Sequence, residues 1–141
     1  MKNLFFLAVL LLLLVGCSHN YEEGPFLSVF PPKDRLARDW NWSLARTTAD
    51  GVTLNQSNRL TNNTLSIRDD GTWAESRYGI SGTWELVSKK QELNFIFNPS
   101  GDSLGVNADA VAFDIRQLTK KNLWLGFQDS AKVLEWQLVA E

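Results

Sequence analysis

Short runs in which large apolar residues recur at every second position constrain this chain's fold more than any other feature. In 111–116 and 134–138 the apolar residues are spaced two apart, and turn sequences such as Asp69-Asp70-Gly71 and Asn98-Pro99-Ser100-Gly101 separate similar runs. A period of two is typical of strands with one buried face, and Asp-Gly is favoured in tight hairpins. The pattern therefore predicts an all-β, antiparallel fold, either a barrel or a sandwich.

We predict strands at 40–45, 65–68, 72–78, 81–87, 93–97, 111–116, 123–127 and 134–138, with a weaker one at 52–56. In the first strand, Trp40, Trp42 and Leu44 are expected to share one face. A single helical turn is expected at 32–37, beginning in a pair of prolines. The length of 141 residues suits one domain with one core.

The amino-terminal residues indicate export. Lys2 is followed by an unbroken apolar block from Leu4 to Val15, the layout of a secretion signal. The block is too short for a membrane span, which needs roughly 20 apolar residues. It ends at Gly16 and Cys17, and Cys17 is the only cysteine of the chain.

The sequence Leu14-Val15-Gly16-Cys17 resembles the lipobox of bacterial lipoproteins. The resemblance implies cleavage before Cys17 and acylation of both its sulfur and its new amino group. Three fatty chains give durable anchoring, which one chain does not. Ser18 stands where an inner-membrane retention signal usually has aspartate, which favours the outer membrane; an uncleaved anchor helix is the alternative. The expected organisation is a signal peptide at 1–16, a lipidated tether at 17–34 and a barrel domain at 35–141.

Several short motifs of the domain resemble lipocalin-like lipoproteins of the Bacteroidota envelope. They are Leu36, Trp40, Leu65-Ser66-Ile67-Arg68-Asp69-Asp70-Gly71-Thr72-Trp73, Ser81-Gly82-Thr83-Trp84-Glu85-Leu86, Leu93-Asn94-Phe95, Ile115-Arg116-Gln117-Leu118-Thr119 and Leu123-Trp124-Leu125. The resemblance implies an up-and-down barrel of about eight strands, closed at one end by a turn of helix. In classical members a small apolar ligand lies inside.

The chain departs from the lipocalin signature at two places. Arg38 stands where the signature has a glycine, two residues before Trp40. The signature also packs an arginine of the last strand on this tryptophan, whereas residues 132–141 contain one basic residue, Lys132.

The titratable residues argue against catalysis and metal binding. The single histidine, His19, lies in the tether, and acylation removes the only thiol. The usual nucleophile–base pairs and zinc or copper ligand sets are therefore missing. We expect no enzymatic activity, no metal and no cofactor. The net charge of −2, with basic pairs only at Lys89-Lys90 and Lys120-Lys121, also argues against nucleic acid as a partner.

Aromatic residues are the candidates for ligand binding, since six tryptophans and eight phenylalanines serve one small protein. If the apolar faces point inward, seven rings converge on the barrel interior, where aromatic walls suit an apolar or amphiphilic ligand. The alternative is that these rings fill the interior themselves. The seven are Trp40, Trp42, Trp84, Phe95, Phe113, Phe127 and Trp136.

A second function is kept beside ligand binding. Phe26 and Phe30 make the tether unusually apolar, and the position of Trp124, like that of Trp73, has a different parity from its apolar neighbours. One or both of these tryptophans is expected to face outward. Phe26, Phe30 and Trp124 are therefore candidate contacts with an outer-membrane protein complex, to which the protein would be an accessory subunit.

Overall fold

A computed structural model describes residues 30–57, 62–98 and 109–141. The elements are α1 (Pro32–Leu36), β1 (Asp39–Ala49), β2 (Val52–Asn55), β3 (Thr64–Ile67), β4 (Thr72–Glu75), β5 (Ser81–Val87), a 3₁₀ turn (Ser88–Lys90), β6 (Glu92–Asn98), β7 (Ala110–Leu118), β8 (Asn122–Gln128) and β9 (Lys132–Ala140). In this part of the chain, no helix is both long enough and apolar enough to cross a membrane.

Eight of the strands form a closed antiparallel barrel. Each strand from β3 to β8 pairs with the next one, and β1 pairs with both β3 and β9, which closes the ring. β2 pairs with the second half of β1, from Arg46 to Ala49, and lies outside the closed ring. The predicted up-and-down barrel of about eight strands is confirmed, and the strand predicted weakly at 52–56 is β2.

The barrel has two different ends. At one end α1 and the turns β3–β4, β5–β6 and β7–β8 meet, and we call this the closed end. The connections β1–β2, β4–β5 and β8–β9 lie at the opposite end, which we call the open end.

The core side chains lie on the inward faces of the strands and under α1. The largest fully buried ones are Trp40, Phe95, Phe113, Leu36, Leu65, Ile67, Leu93, Leu118, Leu123, Leu125, Leu134 and Leu138. Of the two tryptophans with unusual parity, Trp73 faces inward and is buried. Trp124 lies between the buried Leu123 and Leu125, so it faces outward.

A β-bulge in β1 corrects the predicted face of Leu44. Trp42 pairs with Leu138, but Leu44 pairs with Gln137, so Ser43 is the additional residue. The Ser43 hydroxyl donates a hydrogen bond to the Gln137 carbonyl at 2.9 Å. Because the bulge shifts the alternation by one, Ala45 is buried and Leu44 is only half-buried.

The strand predicted at 72–78 was too long, because β4 ends at Glu75. The Glu75 carboxylate is buried and accepts the backbone N–H groups of Arg77 at 2.9 Å and Tyr78 at 2.8 Å. A carboxylate bonded to N–H groups two and three residues ahead forms a turn that competes with strand continuation.

Hydrogen bonds and packing seal the closed end. The Trp40 indole donates to the Leu36 carbonyl at 2.9 Å, and the buried Arg35 donates to the Leu118 carbonyl at 2.7 Å. The guanidinium carbon of Arg38 lies 5.7 Å from the centroid of the Trp40 ring. Arg38 also donates to the Lys120 carbonyl. A cation thus packs on the first-strand tryptophan, supplied by β1's own flank rather than by the last strand.

Candidate functional site

The seven rings predicted to line the interior all lie on inward faces of the barrel strands. Six are buried, and Phe127, near the open end of β8, is half-buried. Trp42 and Trp136 have centroids 4.7 Å apart, Trp136 and Phe113 4.4 Å, and Phe113 and Phe95 5.9 Å. These separations are those of rings in direct contact. The rings therefore pack against one another in the barrel interior. Their role in ligand binding stays a prediction.

Trp73 adds a further ring to this cluster, which sequence reasoning left undecided. Its centroid lies 5.1 Å from that of Phe95 and 5.2 Å from that of Phe97. The indole N–H lies 3.1 Å from the Thr83 carbonyl and 3.2 Å from the Ile96 carbonyl. The neighbouring Gly82 makes this approach possible, since an added Cβ would overlap the Ile96 carbonyl oxygen.

Three apolar side chains lie on the inner face of the sheet at the open end, and we call them the rim patch: Val52, Leu54 and Phe127. Leu54 pairs with Thr47, and Thr47 pairs with the buried Leu134. The side chains of Leu54, Thr47 and Leu134 therefore lie on the same, inner face of the sheet. Val52 and Leu54 are nevertheless 61% and 59% exposed, because β2 extends past the closed ring. Their spacing in sequence was a usable signal, since both alternate with polar residues.

The outer wall has a separate groove of about 780 Å³ across β3 to β6. At its edge the Arg68 guanidinium lies 2.9 Å from the Asp39 carboxylate. A hydrogen bond from the Ser66 hydroxyl, and then the contact with Arg68, hold the pKa of Asp39 below its ordinary value. Most of the lining side chains are short. The groove is lined by Ser66, Arg68, Thr72, Trp73, Ala74, Ser81, Gly82, Thr83, Ile96, Phe97 and Asn98.

The candidate partner contacts are only partly described. Phe26 and the candidate lipidation site Cys17 lie outside the described residues, as do the signal peptide and most of the tether. Phe30 is exposed, and the Lys120 ammonium lies 3.7 Å from its ring centroid at the closed end. Trp124 is half-buried on the outer face of β8.

The described residues contain no group of three or more histidine, cysteine, aspartate or glutamate side chains placed to hold a metal ion. Glu75, a buried carboxylate, is committed to its own turn through two backbone N–H groups. It therefore stabilises the chain reversal before β5.

Two solved structures share this architecture. A lipocalin-like protein from Bacteroides uniformis ATCC 8492 superposes with a TM-score of 0.53 at 15% identity, covering 76% of this chain and 99% of that one. This chain has a lipocalin-like fold. An uncharacterized protein from Bacteroides eggerthii DSM 20697 matches with a TM-score of 0.51 at 11% identity, covering 75% and 99% of the two chains. The models of known protein families and the curated proteins give no match.

At these identities the likeness concerns the lipocalin-like fold alone, so function has to be argued from this chain's own surfaces.

Proposed function

We propose that this lipocalin-like barrel is a lipid-anchored protein of a bacterial outer membrane that binds the apolar part of a small amphiphile at the rim patch, without catalysing a reaction. The observation that carries the proposal is the exposure of Val52 and Leu54 on the inner face of the sheet, at the open end of a filled barrel.

The packing of the interior sets where a ligand binds. Trp42, Phe113 and Trp136 contact one another across the barrel, so a ligand that leaves this packing intact stays near the open end. The rim patch offers apolar side chains there, and the centroid of its Phe127 ring lies 6.0 Å from that of Phe113. Covering the exposed parts of Val52 and Leu54 gains about 1 kcal/mol each. We therefore expect binding of a short acyl chain with modest affinity.

The proposed anchor fixes the direction in which the rim patch points. The described chain begins with Phe30 at the closed end, where Lys120 lies over its ring. We infer that a lipid on Cys17, joined to Phe30 through residues 18–29 of the tether, keeps the closed end nearer to the bilayer than the open end. The rim patch then faces away from the membrane that anchors the protein.

A titration of the purified full-length protein with dansyl-labelled undecanoate tests the ligand proposal. The double variant V52S/L54S is expected to weaken binding about tenfold, because roughly 1.4 kcal/mol corresponds to a factor of ten. V139S is the matched control, since Val139 is also exposed but lies on the outer face of β9. Absence of binding, or equal weakening by V139S, would refute the assignment to the rim patch.

The anchor has its own test. Metabolic labelling with an alkyne analogue of palmitate is expected to mark the wild-type protein in the membrane fraction. C17S is expected to lose the label and to leave that fraction. A labelled C17S protein would show that Cys17 is not the acylated residue.

A second candidate function is that of an accessory subunit of an outer-membrane protein complex. The filled interior favours it, and Phe30 and Trp124 supply aromatic surface outside the barrel. Purification in mild detergent followed by mass spectrometry is expected to recover a constant partner protein. F30S/W124S is expected to release that partner, whereas I96S, at another exposed apolar position, is expected to retain it. Recovery of the protein alone would argue against this function.

A further inference from the structure

The topology of the barrel brings together the two basic pairs of the sequence. Lys89 and Lys90 lie in the β5–β6 turn, and Lys120 and Lys121 lie in the β7–β8 turn. Both turns belong to the closed end, and they are neighbours there because β6 pairs with β7. Pairs that are 30 residues apart in sequence thus meet on one surface. We call these four lysines the basic face.

The basic face is exposed and contains no acidic residue. The side chains of Lys89, Lys120 and Lys121 are exposed. Residues 88–91 and 119–121, which form the two turns, include no aspartate or glutamate. On the adjoining strands, Glu92 and Asp114 lie opposite each other on the outer wall, since the residues that follow or precede them there are buried.

The other carboxylates of the closed end have basic neighbours of their own. Asp39 pairs with Arg68 at 2.9 Å. Hydrogen bonds from Thr72, and then the charges of Arg68 and Lys33, hold the pKa of Asp70 below its ordinary value. The positive charge of this end is therefore concentrated in the basic face. Outside that face, the described charged residues of the closed end nearly balance, with Lys33, Arg35, Arg38 and Arg68 against Asp34, Asp39, Asp69, Asp70 and Glu141.

An exposed aromatic ring lies beside the basic face. Phe30 is 44% exposed, and the Lys120 ammonium lies 3.7 Å from its ring centroid. Surfaces that bind at a membrane interface combine basic side chains, which attract anionic headgroups, with aromatic side chains that enter the headgroup layer. A free anion in solution would bind the lysines but leave the Phe30 ring exposed to water. The combination therefore favours a membrane surface.

We propose that the basic face docks on the anionic headgroups of a phospholipid bilayer. The choice of a bilayer rests on the anchor proposed on Cys17, since the chain between Cys17 and Phe30 reaches at most roughly 45 Å when fully extended. Exposed charges attract one another only within about 8 Å at physiological ionic strength. The anchor thus keeps the closed end near the bilayer, and the lysines bring it into contact.

The test uses the full-length C17S chain, which lacks the sulfur that the anchor needs, so its outcome is independent of acylation. Flotation gives partition coefficients for vesicles of phosphatidylcholine and phosphatidylglycerol in equal parts, and for vesicles of phosphatidylcholine alone. The ratio of the two coefficients is the readout, because binding through the apolar residues 4–15 is common to both vesicles. We expect a ratio well above one that falls as added salt screens the charges.

Two variants remove half of the basic face each. K120Q and K121Q are combined in one, and K89Q and K90Q in the other. Each double variant is expected to lower the ratio about twentyfold, since one lysine near an anionic surface contributes about a factor of five.

The double variant R77Q/K132Q is the matched control. It removes the same charge from the open end, where Arg77 lies in the β4–β5 connection and Lys132 begins β9. Roughly 20 Å of strand separates the two ends, which is more than the screening length. The control is therefore expected to keep the ratio of the C17S chain.

A ratio of one for the C17S chain, or an equal loss in R77Q/K132Q, overturns the proposal. So does a ratio that exceeds one only in E22Q/E23Q, because carboxylates of the tether would then occupy the basic face. Stronger binding of soluble poly-glutamate than of the anionic vesicles also overturns it, in favour of an acidic protein. Binding of dansyl undecanoate is expected to be unchanged in K120Q/K121Q, so failure of the basic face and failure of the rim patch are distinguishable.

Discussion

The buried tryptophans of the barrel differ in what their indole N–H groups do. Those of Trp40, Trp73 and Trp84 donate to backbone carbonyls, whereas that of Trp42 has no acceptor in the described residues. An unsatisfied buried donor loses its hydrogen bond to water and gains none in the protein. The fold therefore gains less from the indole of Trp42 than from the others, even though its ring packs edge-on against Trp136.

A pair of variants measures this difference. Replacing tryptophan by phenylalanine leaves a similar void at Trp42 and Trp84, but only W84F also deletes a hydrogen bond. We expect W84F to lower the free energy of unfolding by about 1 kcal/mol more than W42F. Urea unfolding followed by circular dichroism gives both values. Equal losses would mean that the Trp42 N–H is satisfied in solution.

Gly82 is required by the close approach of β6. An alanine Cβ there would overlap the backbone oxygen of Ile96 and lie 2.9 Å from Trp73 Nε1. We expect G82A to lower the free energy of unfolding by about 2–3 kcal/mol, since neither backbone nor buried indole moves easily.

G126A is the control for this prediction. A Cβ at Gly126 would lie 2.5 Å from Nε of Arg116, but that contact is with a long side chain on the outer wall. We expect a change within about 0.5 kcal/mol, because the far end of the Arg116 side chain can move to make room for one methyl group. Thermal unfolding of both variants provides the comparison, and a loss in G126A as large as in G82A would contradict it.

At the level of single residues, period-two spacing was enough to place seven aromatic side chains on the inner faces. It failed at Leu44, because the bulge at Ser43 depends on how β9 pairs with β1. It also left Trp73 undecided. The unpartnered N–H of Trp42 had no sequence signal, since hydrogen bonding inside the barrel depends on residues distant in the chain.

At the level of elements, two turns are stabilised by an aspartate whose carboxylate accepts hydrogen bonds from residues two or three positions ahead. Asp70 accepts the backbone N–H and the hydroxyl of Thr72 after β3, and Asp129 accepts the N–H groups of Ala131 and Lys132 before β9. The Asp-Gly hairpin was predictable from sequence, because both residues have known turn preferences. The end of β4 was not, since it depends on Glu75 folding back on the following turn.

These caps give the stability a defined pH dependence. Hydrogen bonds from Thr72 lower the pKa of Asp70, and those from Ala131 and Lys132 lower that of Asp129, from an ordinary value of 3.8. A lowered carboxyl pKa contributes stability that is complete above the unfolded-state value and is lost as pH falls through the folded-state value. We therefore expect stability to fall below about pH 4.

The variant D129N tests one of these contributions. Asparagine keeps an acceptor oxygen but does not titrate, so the loss of stability on acidification is expected to be smaller than in wild type. Urea midpoints measured across this pH range provide the comparison, with S130A as a control that keeps the carboxylate. An acid dependence of D129N identical to that of wild type would rule out a contribution from this turn.

β2 differs from the other strands because it pairs only with β1 in the described structure, and all its residues are exposed. We expect its amide hydrogens to exchange with solvent much faster than those of β9, which is paired on both sides. Hydrogen exchange read by mass spectrometry checks this expectation. Protection of 52–55 equal to that of 132–140 would show that another segment covers β2.

At the scale of the whole molecule, the two ends of the barrel differ in structure: one is sealed and the other exposes apolar side chains. α1, Trp40 and two arginines seal the closed end, where the described chain begins. The open end presents the rim patch. Up-and-down topology makes this separation inevitable, because alternate connections fall at opposite ends of the ring. Period-two spacing predicted the strands but left barrel or sandwich open, and the resemblance to lipocalin-like lipoproteins implied the closed barrel with its turn of helix. The exposure of β2 was not predictable, because it depends on where pairing with β1 stops.

This polarity, together with the anchor proposed on Cys17, predicts how the protein is oriented on a membrane. A fluorophore on K121C, in the β7–β8 turn, is expected to be quenched by vesicles carrying a headgroup quencher more strongly than one on S130C, in the β8–β9 turn at the other end. Both positions are exposed, so labelling leaves the core intact. The same two variants on a C17S background remove the anchor and are expected to show equal, weak quenching. Stronger quenching at position 130 in the acylated protein would mean that the rim patch faces the bilayer, and the amphiphile would then be drawn directly from the membrane.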